Sequence, residues 1–98
     1  MKINFKITLE LENSDWDLFC VEKELELSFI PNIGDVIADN GLHFKVESRK
    51  FNILDEYLTI YLQDYKLIND NNKKDVLKRM EDSGWYYRDP AVYTLSKL

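Results

Sequence analysis

The chain has 98 residues, a net charge of −5, a hydrophobic fraction of 45% and one cysteine. This composition predicts a single domain over residues 1 to 98 with a packed core, and the lone cysteine excludes an internal disulfide, so we expect a cytoplasmic protein. No apolar run has the length of a signal peptide or a membrane span, and the acidic balance disfavours generic nucleic-acid binding.

Two strands are predicted near the start of the chain. Residues 3 to 11 alternate apolar and polar side chains, which is the period of a half-buried strand. Residues 16 to 21 have no clean period, and we interpret them as a loop or a short helical turn. Alternation returns over residues 24 to 29, which predicts a second strand. Its expected inward side chains are Leu25, Leu27 and Phe29.

The stretch FIPNIGDVI, residues 29 to 37, predicts a turn between strands. Pro31 has no backbone donor and favours extended geometry before it. Gly34 adopts a positive φ at low cost, and Asp35 can bond its own backbone. Because turn chemistry explains all of these residues, we interpret the stretch as a corner of the chain and not as a functional loop.

A hairpin is predicted next, with Asn40-Gly41 as a two-residue type I′ turn. It joins a strand at residues 36 to 39 to a longer strand at residues 42 to 52. The apolar residues of the longer strand change from even to odd positions, so we predict a bulge or bend at residues 48 to 50.

A further strand is predicted at residues 57 to 63, after a tight connection at Asp55-Glu56. Its even positions are expected to face the core and are Leu58, Ile60 and Leu62. The odd positions, Tyr57, Thr59 and Tyr61, are then expected on the solvent side of the sheet.

The period changes to that of a helix after residue 71. We predict a short helix at about residues 72 to 83, with Asn72 as its N-cap and Gly84 at its C-terminal stop. Its buried side is expected to consist of Val76, Leu77 and Met80.

An aromatic run follows the helix and is predicted to be extended. Trp85 and Tyr87 then share one face, and Tyr86 and Arg88 share the other. Since the three aromatics cannot all face one core, we expect some aromatic surface to stay accessible. The alternative is that Trp85 and Tyr87 cover the open end of the sheet and Tyr86 lies flat on the surface. Residues 92 to 98 are also predicted to be extended.

Together these elements predict an α+β, mainly β fold: a small, strongly bent antiparallel sheet or partly closed barrel of five to seven strands, with one short helix. The stretch at residues 29 to 37, followed by Gly41, Phe44 and the strand at residues 57 to 62, resembles the P-x-x-G-D-hydrophobic pattern of small SH3-like β-barrel domains. This resemblance covers residues 25 to 63 and implies a binding scaffold without identifying a ligand.

Catalytic and metal chemistry find little support in the sequence. The one pair of nucleophile and base is Cys20 with His43, and we expect a buried, inert thiol and a surface histidine. No metal site and no cofactor are predicted. An enzyme that uses Cys20, His43 or Asp35 is a third hypothesis behind two binding functions.

The first binding hypothesis is a non-catalytic protein-binding or adaptor module. It would engage a protein, or a second copy of the chain, through an unpaired strand edge or an aromatic patch. The candidate patch residues are Trp85, Tyr86, Tyr87, Arg88, Tyr57 and Tyr61. The alternative is a module that binds single-stranded nucleic acid. In that alternative the tyrosines at 57, 61 and 86 stack on bases beside Arg49, Lys50 and Arg88. No membrane partner is expected.

Overall fold

Seven strands and one helix form the part of the chain that the structure describes. The computed structural model describes residues 1 to 11 and 18 to 87, with the side chains of residues 11, 18 and 19 left out. The helix, α1, spans Asp70–Asp82. The strands are β1 (Lys2–Leu11), β2 (Leu18–Glu26), β3 (Val36–Asp39), β4 (Leu42–Asn52), β5 (Tyr57–Leu62), β6 (Tyr65–Leu67) and β7 (Tyr86–Tyr87).

The strands form one sheet that curls into a half-barrel. Their order is β3-β4-β5-β1-β2-β7, and β6 also pairs with β1. The predicted mainly β fold, with a partly closed barrel and one short helix, is confirmed. The sheet is mixed, however, and not wholly antiparallel as predicted, because β1 runs parallel to β5 and β6. Residues 27 to 35 carry the chain from β2 to β3, and the β3-β4-β5 meander then returns beside β1 in the same direction.

One face of the sheet and one side of α1 enclose the core. Every second residue of β1 is buried, which confirms the predicted period of two. The core residues on β1 are Ile3, Phe5, Ile7 and Leu9. From α1 the core receives Val76, Leu77 and Met80, as predicted. The predicted inward residues of β5 (Leu58, Ile60 and Leu62) are also buried.

The second strand is displaced from its predicted position. Residues 18 to 21 belong to β2, so the predicted loop is wrong there, and residues 12 to 17 lie outside the described part of the chain. The strand ends at Glu26, and both Leu25 and Phe29 are exposed, against the prediction that they face the core. Pairing with β1, which places Val21 opposite Ile7, makes this segment a strand despite its irregular pattern.

The hairpin and bulge predictions are confirmed. Asn40 and Gly41 have φ angles of 49° and 82°, the positive values that a type I′ turn requires. The register between β4 and β5 shifts between Val46 and Ser48, just before the predicted bulge region. The bulge places Phe51 opposite Leu58.

The helix begins two residues earlier than predicted. Its N-cap is Asn69 and not Asn72, because the Asn69 side chain accepts a 2.8 Å hydrogen bond from the Asn72 backbone N–H. The Asn72 side chain accepts a hydrogen bond from the backbone N–H of Ile68, so the two asparagine side chains bond in opposite directions across the first turn of the helix. Gly84, with a φ of 95°, follows the helix at the predicted stop.

A part-buried polar network at Asp39 joins the two ends of the half-barrel. Lys23 on β2 donates to Asp39 Oδ2 at 2.7 Å, and Trp85 Nε1 donates to the same oxygen at 2.8 Å. Ser83, which caps the end of α1, donates its hydroxyl to Asp39 Oδ1. Burial raises the pKa of Asp39, but the hydrogen bonds from Lys23, Ser83 and Trp85 outweigh burial and hold the pKa below its ordinary value.

Replacing Asp39 by asparagine is expected to lower the free energy of unfolding at pH 7 by about 1 to 3 kcal/mol, because Lys23 then lacks its anionic partner in a part-buried site that solvent partly screens. Urea unfolding followed by circular dichroism measures this difference. Asp82→Asn is the matched control, since Asp82 pairs with Lys78 on the solvent side of α1. Its expected effect is much smaller, because solvent screens this exposed pair.

The difference between wild type and Asp39→Asn is expected to depend on pH. Because folding lowers the pKa of Asp39, the stabilisation that this carboxylate gives is complete above about pH 4 and is lost as the pH falls further. The two unfolding curves should therefore approach one another in acid. Equal stability of wild type and Asp39→Asn at pH 7 would contradict the role of this network in closing the half-barrel.

Candidate binding surfaces

The structure divides the predicted aromatic patch between two sides of the sheet. Trp85 is 5% exposed and lies in the core, where its ring makes an edge-to-face contact with Phe44 at 5.6 Å. Tyr87 is half-buried against the same core. Tyr86 is 45% exposed on the opposite side, which confirms that the aromatic run cannot all face one core. Arg88 lies outside the described residues.

Three of the predicted tyrosines, Tyr57, Tyr61 and Tyr86, lie on the side of the sheet away from the core, which we call the outer face. The strand register places Lys6 between Glu22 on β2 and Tyr61 on β5, and places Tyr86 on β7 opposite Glu22. In the next row Asn4 lies between Glu24 and Thr59. The outer face comprises Asn4, Lys6, Glu22, Glu24, Tyr57, Thr59, Tyr61 and Tyr86.

The outer face has a negative potential at two of its phenols. Partial burial raises the pKa of Tyr57, and the carboxylates of Glu24 and Glu22 raise it further. Burial, together with the charge of Glu22 and a hydrogen bond to it, raises the pKa of Tyr86. These carboxylates also have cationic neighbours, since Lys6 Nζ lies 3.3 Å from Glu22 Oε1. The same acidic groups that raise the phenol pKa values oppose the approach of a phosphate backbone.

Asn4 is the buried centre of this face. Its side-chain oxygen has no hydrogen-bond partner among the described residues, although the residue is almost completely buried. Glu22 and Thr59, its neighbours on the face, are also buried. The Asn4 oxygen is unusual, because buried polar atoms normally have a hydrogen-bond partner.

The structure does not bring Cys20 and His43 together. They lie on β2 and β4, which β1 and β5 separate in the sheet. Cys20 is exposed, so the prediction of a buried thiol is wrong. It lies 3.7 Å from the Thr8 hydroxyl, in an outer-face cleft of about 380 Å³ that Lys6 and Tyr61 also line. His43 is exposed, as predicted.

The described residues contain no group of three or more histidine, cysteine or acidic side chains placed to hold a metal ion. Asp35, the third residue of the enzyme hypothesis, accepts a 2.7 Å hydrogen bond from the Asn32 backbone N–H within its turn. This is the turn role that the sequence predicts for it. Among the same described residues, no helix is both long enough and apolar enough to cross a membrane.

A second surface lies where the half-barrel stays open, in the gap between β2 and β3 that we call the mouth. It forms a cleft of about 420 Å³. The apolar residues that line the mouth are Leu25, Leu27, Phe29, Pro31, Val36 and Ile37. Phe29 and Val36 are 65% and 64% exposed. Large apolar side chains that gather at one exposed cleft indicate a docking surface more strongly than scattered ones do.

The apolar surface continues from the mouth around the end of the barrel. Ile30, next to Phe29, lines a neighbouring groove with Met1, Phe51 and Leu58. Arg49 fixes the connection between the two grooves by donating to the Pro31 carbonyl at 3.4 Å. The segment that carries Phe29 and Ile30 is therefore held in place while its side chains remain accessible.

Sequence reasoning missed the mouth because it assigned Leu25 and Phe29 to the core. A signal was available in the same stretch, since Pro31 cannot donate to a sheet ladder and therefore limits any strand that contains Phe29. Only the pairing of β2 with the start of the chain, whose last backbone bonds join Leu27 to Met1, shows that Phe29 and Ile30 have no described strand opposite them.

The chain matches no protein-family model, no curated protein and no solved structure.

Replacing Glu22 by glutamine is expected to lower the pKa of Tyr86, because it removes both the charge and the carboxylate hydrogen bond that raise this pKa. Ring resonances of ¹³C-labelled tyrosine, followed by NMR through alkaline titration, measure the change. Glu47→Gln is the control, as Glu47 lines the adjacent cleft but does not raise either phenol pKa. An unchanged Tyr86 titration in Glu22→Gln would show that this carboxylate does not govern the outer face.

Proposed function

We propose that the protein is a non-catalytic protein-binding module that engages its partner through the mouth. The observation that carries the proposal is the concentration of exposed large apolar side chains at this opening. Leu25, Phe29 and Val36 line one cleft, and Ile30 continues the surface into the next groove. A monomeric protein has no folding reason to leave such residues together in water.

The size of the apolar surface fits specific binding. Fully burying one exposed leucine, valine or phenylalanine side chain contributes about 1.5 to 3 kcal/mol. Since these residues are partly covered already, each would gain a fraction of that on docking. Together they supply several kcal/mol of gross binding energy, and the remainder of the about 8 kcal/mol of a micromolar complex, with the entropy cost of association, has to come from further contacts such as backbone pairing.

The architecture supports an adaptor role because hydrogen bonds hold the mouth in place at both of its ends. The Asp39 network fixes β3 relative to β2 at one end of the opening. At the other end, the Gly34 backbone N–H donates to the Val46 carbonyl, and the Val46 N–H donates to the Asp35 carbonyl. A docking surface that is ordered before binding loses less conformational entropy when a partner arrives.

The double variant Phe29→Ser/Val36→Ser is expected to lose a partner protein that the wild type retains in a nuclease-treated pull-down. The loss should be about tenfold or more, since central apolar anchors dominate interface energies. Ile68→Ser is the matched control, because Ile68 is 62% exposed but does not line the mouth or the groove beside it.

Circular dichroism checks that the wild type and both variants are folded. We expect them to be, because the substituted side chains are exposed. A partner that the double variant retains, or that Ile68→Ser loses equally, would contradict the assignment of the mouth as the binding surface. Support requires both the loss in the double variant and the retention in the control.

Binding of single-stranded nucleic acid is the second candidate, and one observation favours it: Tyr57, Tyr61 and Tyr86 share the outer face, with Lys50 opposite Thr59 at its margin. Arg49 does not join them, because it bonds to Pro31 and Asn32 beside the mouth. Tyrosine rings would stack on the bases of a single strand of any sequence. The carboxylates of Glu22 and Glu24 oppose this function.

A fluorescent oligothymidylate is expected to show no saturable anisotropy change with the wild type at physiological salt, because the outer face and the whole chain are acidic. The Glu22→Gln protein serves as a comparison in which the repulsion is reduced. Tight binding that weakens steeply with salt, and that Tyr86→Ser abolishes, would move nucleic-acid binding ahead of the protein-binding proposal.

A further inference from the structure

β2 and β3 form the two sides of the mouth, and they do not pair with one another. β3 hydrogen-bonds to β4 on one side, and no described strand pairs with its other edge. β2 pairs with β7 at Val21 and Glu22, and beyond Glu22 that edge of β2 also lacks a strand among the described residues. The mouth is thus an opening between two strand edges.

We propose that the mouth is a strand-addition site, in which an extended segment of a partner protein pairs with the outer edge of β3. The segment would carry apolar side chains at alternate positions and at least one lysine or arginine. This inference rests on the proposed protein-binding function and specifies how the partner is held. Its backbone would form the hydrogen bonds, and its alternate side chains would fill the apolar cleft.

The backbone of β3 presents the groups that such pairing needs. In an antiparallel pair, successive residues alternately turn their N–H and C=O groups toward the partner strand and away from it. The Val46 N–H donates to the Asp35 carbonyl, and extending the pairing of Val36 with Lys45 by one residue places Val46 opposite Asp35. Alternation then directs the backbone groups of Ile37 and Asp39 toward β4. Those of Val36 and Ala38 point away from β4, toward the mouth.

The side chains on the β2 side of the mouth suit an added strand. Leu25 and Leu27 lie at and just beyond the end of β2, and Phe29 follows them along the cleft. Side chains on one face of an extended peptide recur at about 6.6 Å, twice the rise per residue of a strand. Apolar residues at alternate positions of the partner would therefore reach this row, while the residues between them would face solvent.

The Asp39 network limits the length of the site. The side chains of Lys23 and Asp39 cross from β2 to β3 and block the mouth at the hairpin end. An added strand can therefore pair along Val36 and Ala38 but cannot continue past Asp39. The site accommodates a short segment, with about two residues making direct backbone contacts on β3.

Charge selects among extended segments. Asp35 lines the mouth and is exposed, and the whole chain carries a net charge of −5. The acids of β2 add less, because Glu22 and Glu24 lie on the outer face and Glu26 pairs with the N-terminal ammonium at 2.9 Å. A segment that contains lysine or arginine is attracted to this region, and an acidic segment is repelled.

A synthetic peptide panel tests the proposal with the full chain. The probes are heptapeptides with lysine at both ends and valine, isoleucine, leucine or phenylalanine at positions two, four and six. A matched panel has glutamate at both ends. Binding is followed by ¹⁵N-NMR shifts and by amide hydrogen exchange. Lysine-flanked peptides are expected to bind and to slow exchange at Val36 and Ala38, and glutamate-flanked peptides are expected to bind at least about tenfold more weakly.

Two substitutions at one position separate strand addition from simple apolar contact. Ala38→Pro removes the N–H that points into the mouth and should leave the hydrogen bonds between β3 and β4 intact. Ala38→Val keeps the N–H with a side chain of comparable size. We expect Ala38→Pro to weaken peptide binding about tenfold or more and Ala38→Val to retain it, with NMR spectra of both proteins confirming the fold.

Peptide binding that Ala38→Pro leaves unchanged, or that gives no exchange protection at Val36 and Ala38, would overturn strand addition. If no peptide of the panel binds while Phe29→Ser/Val36→Ser still loses its captured partner, strand addition fails and the protein-binding function stands. If the chain instead dimerises in light scattering and Ala38→Pro makes it monomeric, the occupant is a second copy and the proposed partner is wrong.

Discussion

The interaction on which the rest of the structure depends is the hydrogen-bonded ion pair between Lys23 and Asp39. A curled sheet with the order seen here leaves β3 and β2 on either side of a gap that no ladder between the described strands closes. Lys23, on the core face of β2, crosses the gap to Asp39, and Ser83 and Trp85 bind the same carboxylate. One side chain thus joins both sides of the sheet, the end of α1 and the start of β7, because a carboxylate can accept several hydrogen bonds at once.

That closure is local, and its position shapes the binding surface. The polar network seals the hairpin end of the gap, while the end near Leu25 and Phe29 has no such bridge among the described residues and remains an apolar cleft. Edge strands are usually protected by their shortness, by charge or by covering elements. β3 has four residues and ends in the Asp39 network, which leaves a short accessible edge. The molecule therefore combines a fixed frame with a small opening, which is the arrangement that suits recognition of one extended segment.

The two sides of the sheet have different physical characters. The outer face is polar, with tyrosines over a layer that contains Asn4 and Glu22, and its carboxylates raise the pKa of nearby phenols. The mouth is apolar, and its backbone edge is accessible. A protein partner would bury the apolar side chains of the mouth and bond to its free backbone groups, and both contacts favour binding. On the outer face, repulsion between the carboxylates and a nucleic-acid backbone would offset part of the energy of base stacking. This contrast favours protein binding over nucleic-acid binding.

The sequence by itself determined the elements whose patterns are local. Alternation in β1 and β5, the type I′ turn at Asn40-Gly41, the bulge in β4 and the stop at Gly84 follow from side-chain period and turn chemistry, which act between neighbouring residues. Tertiary structure decided the rest, because long-range pairing overrides local pattern. Pairing with β1 made residues 18 to 21 a strand and left Phe29 outside the core. Trp85 donates a hydrogen bond to Asp39 and lies in the core, so it is not part of an exposed aromatic patch. The mouth arises where pairing stops, and no period in the sequence marks where a sheet ends.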